Sequence, residues 1–212
     1  MPLSLAQRAL LTAGVGASAA QLLHATRNWG ASSGEVSRVL PGDELVPGPV
    51  ERTTLAVTVE APPEAVWPWL VQIGQDRGGM YSYDRLENLL GLDIHSTDEI
   101  REEWQHLAAG DRVVVVPEGY RAIPAGYSFP VAEVVPGRAL VLRQAPPEHP
   151  WDAVWSFHLL PHGPGRCRLL SRSVARRPRG VGLRVANRVM EPVTLVMTRR
   201  MLRGIAERAQ RR

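Results

Sequence analysis

The chain has 212 residues, enough for one domain of ordinary size with a tail and too few for two comfortable ones. Hydrophobic residues make up 44% and charged residues 22%, ordinary values for a globular chain. The one cysteine, Cys167, excludes an intrachain disulfide and gives no sign of a secreted disulfide framework, so a cytoplasmic location is expected.

The net charge of +4 is unevenly spread. From Arg172 to Arg212 twelve arginines face only Glu191 and Glu207, a balance of +10 that leaves −6 for residues 1–171. Every basic residue is Arg. The segment reads first as the solvated face of an amphipathic helix. Contact with anionic lipid is the alternative, and no specific nucleic-acid partner is expected.

Ala9 to Thr26 carries no formal charge, long enough to raise the membrane question. Its strongly apolar members are only Leu10, Leu11, Val15, Leu22 and Leu23, a weak driving force for spanning a bilayer. Three readings stay open for residues 1–28: a peripheral helix or tail, a span, and a signal ending near Ala17-Ser18-Ala19. A peripheral helix would associate the protein with a membrane. Gly14-Val15-Gly16-Ala17-Ser18-Ala19 fits a dinucleotide fingerprint, but no strand leads into it and no βαβ unit follows, so no nucleotide cofactor is expected.

Residues 29–52 turn to Gly, Ser, Pro and acid and read as a linker. Thr53 to Glu60 alternates with Leu55, Val57 and Val59 on one face, a strand. Pro62-Pro63-Glu64 opens a helix carrying Val66, Trp67, Leu70 and Val71, which should stop by Gly74. A second helix is signalled by Ser82 as N-cap, with Leu86, Leu89 and Leu90 as its apolar side and Gly91 as its stop. Ser96 and Glu99 form the pattern of a capping box for a third, closing near Gly110. The period then changes to two. Arg112–Val116, Gly126–Val135, Arg138–Arg143, Trp151–Leu160 and Cys167–Val174 read as five strands. Val181 to Gln210 is helical, with Leu183, Met190, Met197, Met201 and Ile205 near one stripe and Pro192 placed to kink or split it.

This order predicts an α+β helix-grip fold over residues 53–212. A curved antiparallel sheet would wrap around the long C-terminal helix, with short helices after the first strand. The segments Ala61-Pro62-Pro63-Glu64-Ala65-Val66-Trp67-Pro68-Trp69-Leu70, Gln72 to Asp84 with Leu86-Glu87-Asn88, and Glu191-Pro192 through Leu202 resemble the START-like (SRPBCC) superfamily. That superfamily includes polyketide cyclases/dehydratases and lipid-transfer domains. The resemblance implies an apolar ligand cavity between sheet and C-terminal helix, but no catalytic set, because the fold hosts carriers and enzymes alike.

Two constellations follow. Asp76, Tyr81, Tyr83, Asp84, Glu87 and His95 are the densest polar group, in and after the Gly78-Gly79 loop expected at the cavity mouth. Tyr83, Asp76 or His95 could serve as acid and base of a cyclase-type enzyme. The structural account makes Asp84 a helix-dipole partner and Glu87 a solvent-face residue. The second constellation is apolar: Tyr127, Phe129, Trp155 and Phe157 share strand faces, and Met190, Met197 and Met201 approach from the closing helix. With Met80 and Tyr83 they are the expected ligand-binding wall, since Met and large rings suit varied apolar shapes. His158 and His162 run from strand into turn and diverge, so no metal is expected. The expected partner is a hydrophobic small molecule, and binding is favoured over catalysis.

Overall fold

In the computed structural model, residues 26–48, 50–149, 151–177 and 180–211 are described; the expectations for residues 1–25 lie outside them. The period-two segments pair into one six-stranded antiparallel sheet in the order β1-β6-β5-β4-β3-β2. Its strands are β1 (Val50–Val59), β2 (Arg112–Val116), β3 (Tyr127–Val135), β4 (Ala139–Gln144), β5 (Ala153–Pro161) and β6 (Cys167–Arg176). Register shifts between Val114 and Val116 and between Val131 and Glu133 mark irregularities that bend the β2–β3–β4 end.

The helices are α1 (Ser33–Ser37), α2 (Pro63–Val71), α3 (Asp84–Leu89) and α4 (Val181–Ala209). In α2, Pro63 starts the first turn, and Val66, Trp69, Leu70 and Val71 are buried. α4 packs on β1 and α2, and Pro192 lies within it without splitting it. Only its C-terminal half is buried, through Met201, Leu202, Ile205 and Ala206. The N-terminal half carries Val181, Val185, Val189, Val193 and Val196 exposed on its outer face. Gly204 lets the buried half close on α2's far side, since a Cβ there would lie 2.2 Å from the Tyr81 carbonyl oxygen.

Three local expectations are corrected. α3 forms, but its leucines face outward (Leu86 51%, Leu89 81% and Leu90 61% exposed) and Glu87 is its one buried residue. The cause is anchoring. Asp84 accepts hydrogen bonds from the Ser96 amide and hydroxyl, both at 2.7 Å, and Asn88 pairs with both backbone groups of Ile94. These two side chains, one turn apart, fix the helix rotation with Glu87 inward. Ser96 is thereby used up, so the expected third helix is absent, and one 3-10 turn, Glu102–Trp104, stands in its place. The Gly78-Gly79 turn lies beneath residues 95–96, where a Cβ on Gly79 would meet the Ser96 backbone at 2.6 Å; it is a packed turn and not a cavity mouth.

Residues 29–48, which composition assigned to a linker, lie against the outer face of the sheet. Leu40 packs with Ala56 and Leu170, and Val46 packs with Val141, Val154 and Val174. Arg172 points outward from β6 into this layer and is fully buried there. It donates to Asp43 Oδ2 at 2.7 Å and to the carbonyls of Arg38, Glu35 and Val36.

Candidate functional site

The sheet's inner face and α4 enclose a cavity of about 510 Å³. Its existence follows from side-chain size along β6. On that strand's inner parity Leu169 fills the core, but Ser171, Ser173 and Ala175 that follow are small and line the hollow. The neighbouring strands extend the hollow in cross-strand rows: Thr53, Ser173 and Trp155 in one, Glu51, Ala175, Ala153 and Gln144 in the next. Small residues leave the volume, and flanking aromatic and methionine side chains wall it.

The wall is a chain of ring contacts. Tyr127 meets Phe129 at 5.4 Å, Phe129 meets Trp155 at 5.2 Å, and Trp155 meets Phe157 at 4.9 Å between centroids. The polar ends of the rings are tied down inside the protein. The Trp155 indole donates to Ser171 Oγ at 2.9 Å, and the Tyr127 hydroxyl donates to Gln144 Oε1 at 2.8 Å. Burial pushes the Tyr127 hydroxyl pKa up, the hydrogen bond to Gln144 opposing it. The rings therefore present apolar surface to the hollow. Met190, Thr194, Met197 and Met201 come down from α4.

The two ends differ. At one end Glu51, Arg176 and the Arg27–Glu191 ion pair line the hollow beside the half-exposed N-terminal part of α4. At the other end lie Met80, Leu92, Ile94 and Val115, with Glu87 among them. Glu87 is 1% exposed and its Oε2 has no hydrogen-bond partner. Burial, then the Asp84 charge, raises its carboxyl to about 7, the Ser82 hydroxyl acting the other way.

Of the expected wall residues, Met80, Tyr127, Phe129, Trp155, Met190, Met197 and Met201 line the cavity. Phe157 does not; it is fully buried behind Trp155 in the core. Tyr83 does not either: 42% exposed, it precedes α3 and lines a separate shallow hollow with Tyr81, Asp84, Arg200 and Arg208. Asp76 is on the surface, and the His95 side chain is 76% exposed, 3.0 Å from Asp93. The expected acid–base trio is thus not gathered at the cavity. Sequence reasoning placed Glu87 in the polar group but on the solvent face, because the leucines of α3 claimed the inner one, and it missed the small-residue floor, although Ser171, Ser173 and Ala175 alternate visibly in β6.

His158, on the outer parity of β5, is buried, with Nε2 2.9 Å from Ser156 Oγ. Burial, then the nearby Arg172 cation, lowers its pKa to about 4. Cys167 is a buried core residue whose thiol burial pushes up to about 11. Among the described residues no helix is long and apolar enough to cross a membrane.

The strand order and the closing α4 are those of the helix-grip fold. No family model and no curated protein matches the chain. Among solved structures it is similar to the Zhui aromatase/cyclase from Streptomyces sp. R1128, with 18% identity over 77% of this chain and 96% of that one, at a TM-score of 0.47. A protein from Thermobifida fusca is 14% identical over 74% of this chain and 92% of its own, also at 0.47. Truncated norcoclaurine synthase from Thalictrum flavum is 12% identical, covering 77% and 96%, at 0.42. Likeness at this level carries nothing about what this chain binds.

Proposed function

We propose that the chain binds a hydrophobic or amphipathic small molecule, of lipid, isoprenoid or polyketide-like chemistry, in the cavity between sheet and α4. The observation that carries this reading is the 510 Å³ hollow walled by four aromatic residues, Tyr127, Phe129, Trp151 and Trp155, and four methionines, within the size range of small-molecule sites. Burial of apolar ligand surface supplies the driving force, about 25 cal/mol per Å² before entropic costs. The test is native mass spectrometry of protein purified without detergent, followed by organic extraction. A stoichiometric apolar ligand supports the reading. A clean apo mass, together with no uptake of apolar probes, removes it. Trp155→Ala is expected to weaken uptake roughly tenfold, the loss of about 1.4 kcal/mol of contact, while Leu89→Ser on the far surface leaves it unchanged.

A cyclase/dehydratase-type enzyme is the second reading, favoured by one observation: an acid–base side chain, Glu87, does face the cavity. Turnover that follows a bell-shaped pH profile and disappears in Glu87→Gln would support it; binding without turnover in that variant and in the parent alike would dismiss it. Peripheral membrane contact would have to draw on residues 1–28 and the C-terminal arginines, several of which are already engaged, Arg200 with Glu207 and Arg208 and Arg211 with Asp98.

A further inference from the structure

Of the side chains that line the cavity, Glu87 alone among the described residues carries a fully buried polar atom with no partner. Buried side-chain atoms without partners among the described residues are Asp43 Oδ1, Thr54 Oγ1, Glu87 Oε2, His149 Nε2 and Arg172 Nε, and of these residues only Glu87 lines the cavity. A carboxyl oxygen left unpaired in apolar surroundings is costly unless something that enters the site satisfies it. Accepting that the cavity binds a ligand, Glu87 then says what the ligand's polar end must be.

The charge environment decides the form of the carboxyl. On its own helix the nearest charge is Asp84, an anion fixed by the two Ser96 hydrogen bonds. α4 offers the cavity Met197, Thr198 and Met201 at this end, β2 offers Val115, and the following loop offers Leu92 and Ile94, none of them charged. Arg200 and Arg208 sit on the opposite side of α3, in the hollow with Asp84, Arg85 and Tyr83, and Arg208 is held there by Asp98 and the Tyr81 ring. The nearest hydroxyl, Ser82, lies 3.4 Å from the Met197 carbonyl and also bears on the Glu87 carboxyl, where it lowers the pKa without offsetting burial and the Asp84 charge. An ionised Glu87 would have an anion for a neighbour and no cation facing it. The neutral acid, by contrast, has an O–H to give.

We propose that the cavity selects an apolar molecule bearing a neutral hydrogen-bond acceptor, a carbonyl or hydroxyl oxygen, which the carboxylic acid of Glu87 meets with its O–H while the ring wall holds the apolar body. The proposal deepens the ligand-binding reading and rests on it. A free carboxylate would bring another anion to the Asp84–Glu87 pair and is disfavoured. The acceptor lies at the Glu87 end of the cavity, with Met80, Leu92, Ile94 and Val115, and not at the end lined by the Arg27–Glu191 ion pair.

The test uses three naphthalenes of similar size, 2-acetonaphthone, 2-isopropylnaphthalene and 1-(2-naphthyl)ethylamine, titrated calorimetrically into the full chain at pH 5.5 and 8.5. The ketone is expected to bind roughly tenfold or more tightly at pH 5.5, where Glu87 is protonated, and the hydrocarbon equally at both. In Glu87→Gln, which keeps a donor at every pH, the ketone's pH dependence should vanish, with thermal unfolding reporting that the variant is folded. A ketone affinity indifferent to pH in the wild type overturns the proposal. So does an amine that binds more tightly than the ketone at pH 8.5 and loses that advantage in Glu87→Gln, which would make the site one for organic cations. Binding of the hydrocarbon in either of those cases leaves the cavity reading standing, whereas no binding by any of the three brings down that reading itself.

Discussion

Glu87 and His158 tilt the pH dependence of stability in opposite directions, and the sign of each follows from where its pKa moved. Glu87 is raised from 4.5 to about 7, so the folded chain keeps a proton that the unfolded chain has released. Its burial therefore carries no ionisation penalty in acid and destabilises progressively as pH rises from about 4.5 to about 7, by on the order of 3 kcal/mol. His158 is lowered from 6.5 to about 4, so the unfolded chain binds the proton first, and stability is lost as pH falls from about 6.5 to about 4. Glu87→Gln should raise the urea midpoint at pH 8 relative to wild type and not at pH 4.5. His158→Asn should flatten the loss on the acid side alone. An unchanged pH profile in either variant would contradict the corresponding assignment. The sequence pattern puts both residues on solvent-facing positions. His158 alternates opposite Trp155 and Phe157, which reads as a solvent-facing position, and only the layer packed over β5 and β6 makes it interior.

Secondary structure was legible wherever local pattern and tertiary demand agreed. The strand alternation in β5, with Trp155, Phe157 and Leu159 inward, and the continuous period of α4 needed nothing beyond the chain itself. The failure at α3 has a definite physical source: two side-chain anchors, Asp84 to Ser96 and Asn88 to Ile94, outweigh the leucine stripe, and hydrogen-bonding partners twelve and six residues away leave no periodic signal. The cavity was half legible. Its walls were visible as aromatic and methionine positions, but its emptiness depends on small residues in three strands whose register the sequence does not give. The α4 packing tests the same scale. Gly204→Ala should cost about 1–3 kcal/mol, because the added methyl meets a backbone carbonyl at 2.2 Å and neither helix nor turn can yield cheaply. Gly182→Ala in the same helix meets nothing within 4 Å and should be neutral or slightly stabilising, in line with helix propensity. Thermal unfolding of the two variants side by side separates packing from propensity.

At the scale of the molecule the sheet is covered on both faces by different means. The inner face meets α4 and keeps a hollow; the outer face meets residues 29–48, a thin layer held by an ionic anchor as much as by apolar contact. Composition made this stretch look like a linker, because Gly, Pro and acidic residues are what an ordered loop and a solvated one have in common. The missing information was the destination of the acids: Asp43 pairs with Arg172 and Glu35 with Arg168, each more than a hundred residues away. Arg172 shows why the layer matters. Its side chain is fully buried, and removing it leaves Asp43, 6% exposed, with only the Leu40 amide and Arg52 at 3.8 Å, and takes a donor from three backbone carbonyls. Arg172→Met should therefore cost about 3–5 kcal/mol, the range for breaking one partner of a buried pair. Adding Asp43→Leu should recover part of that loss, since the uncompensated charge goes too, and a double-mutant cycle by urea unfolding would read the coupling. Strict additivity would mean that the anchor is dispensable. A chain beginning at residue 50, which keeps β1 whole, should expose Leu170, Val141 and Val174 in either case and unfold more easily, and by more if the pair is strongly coupled.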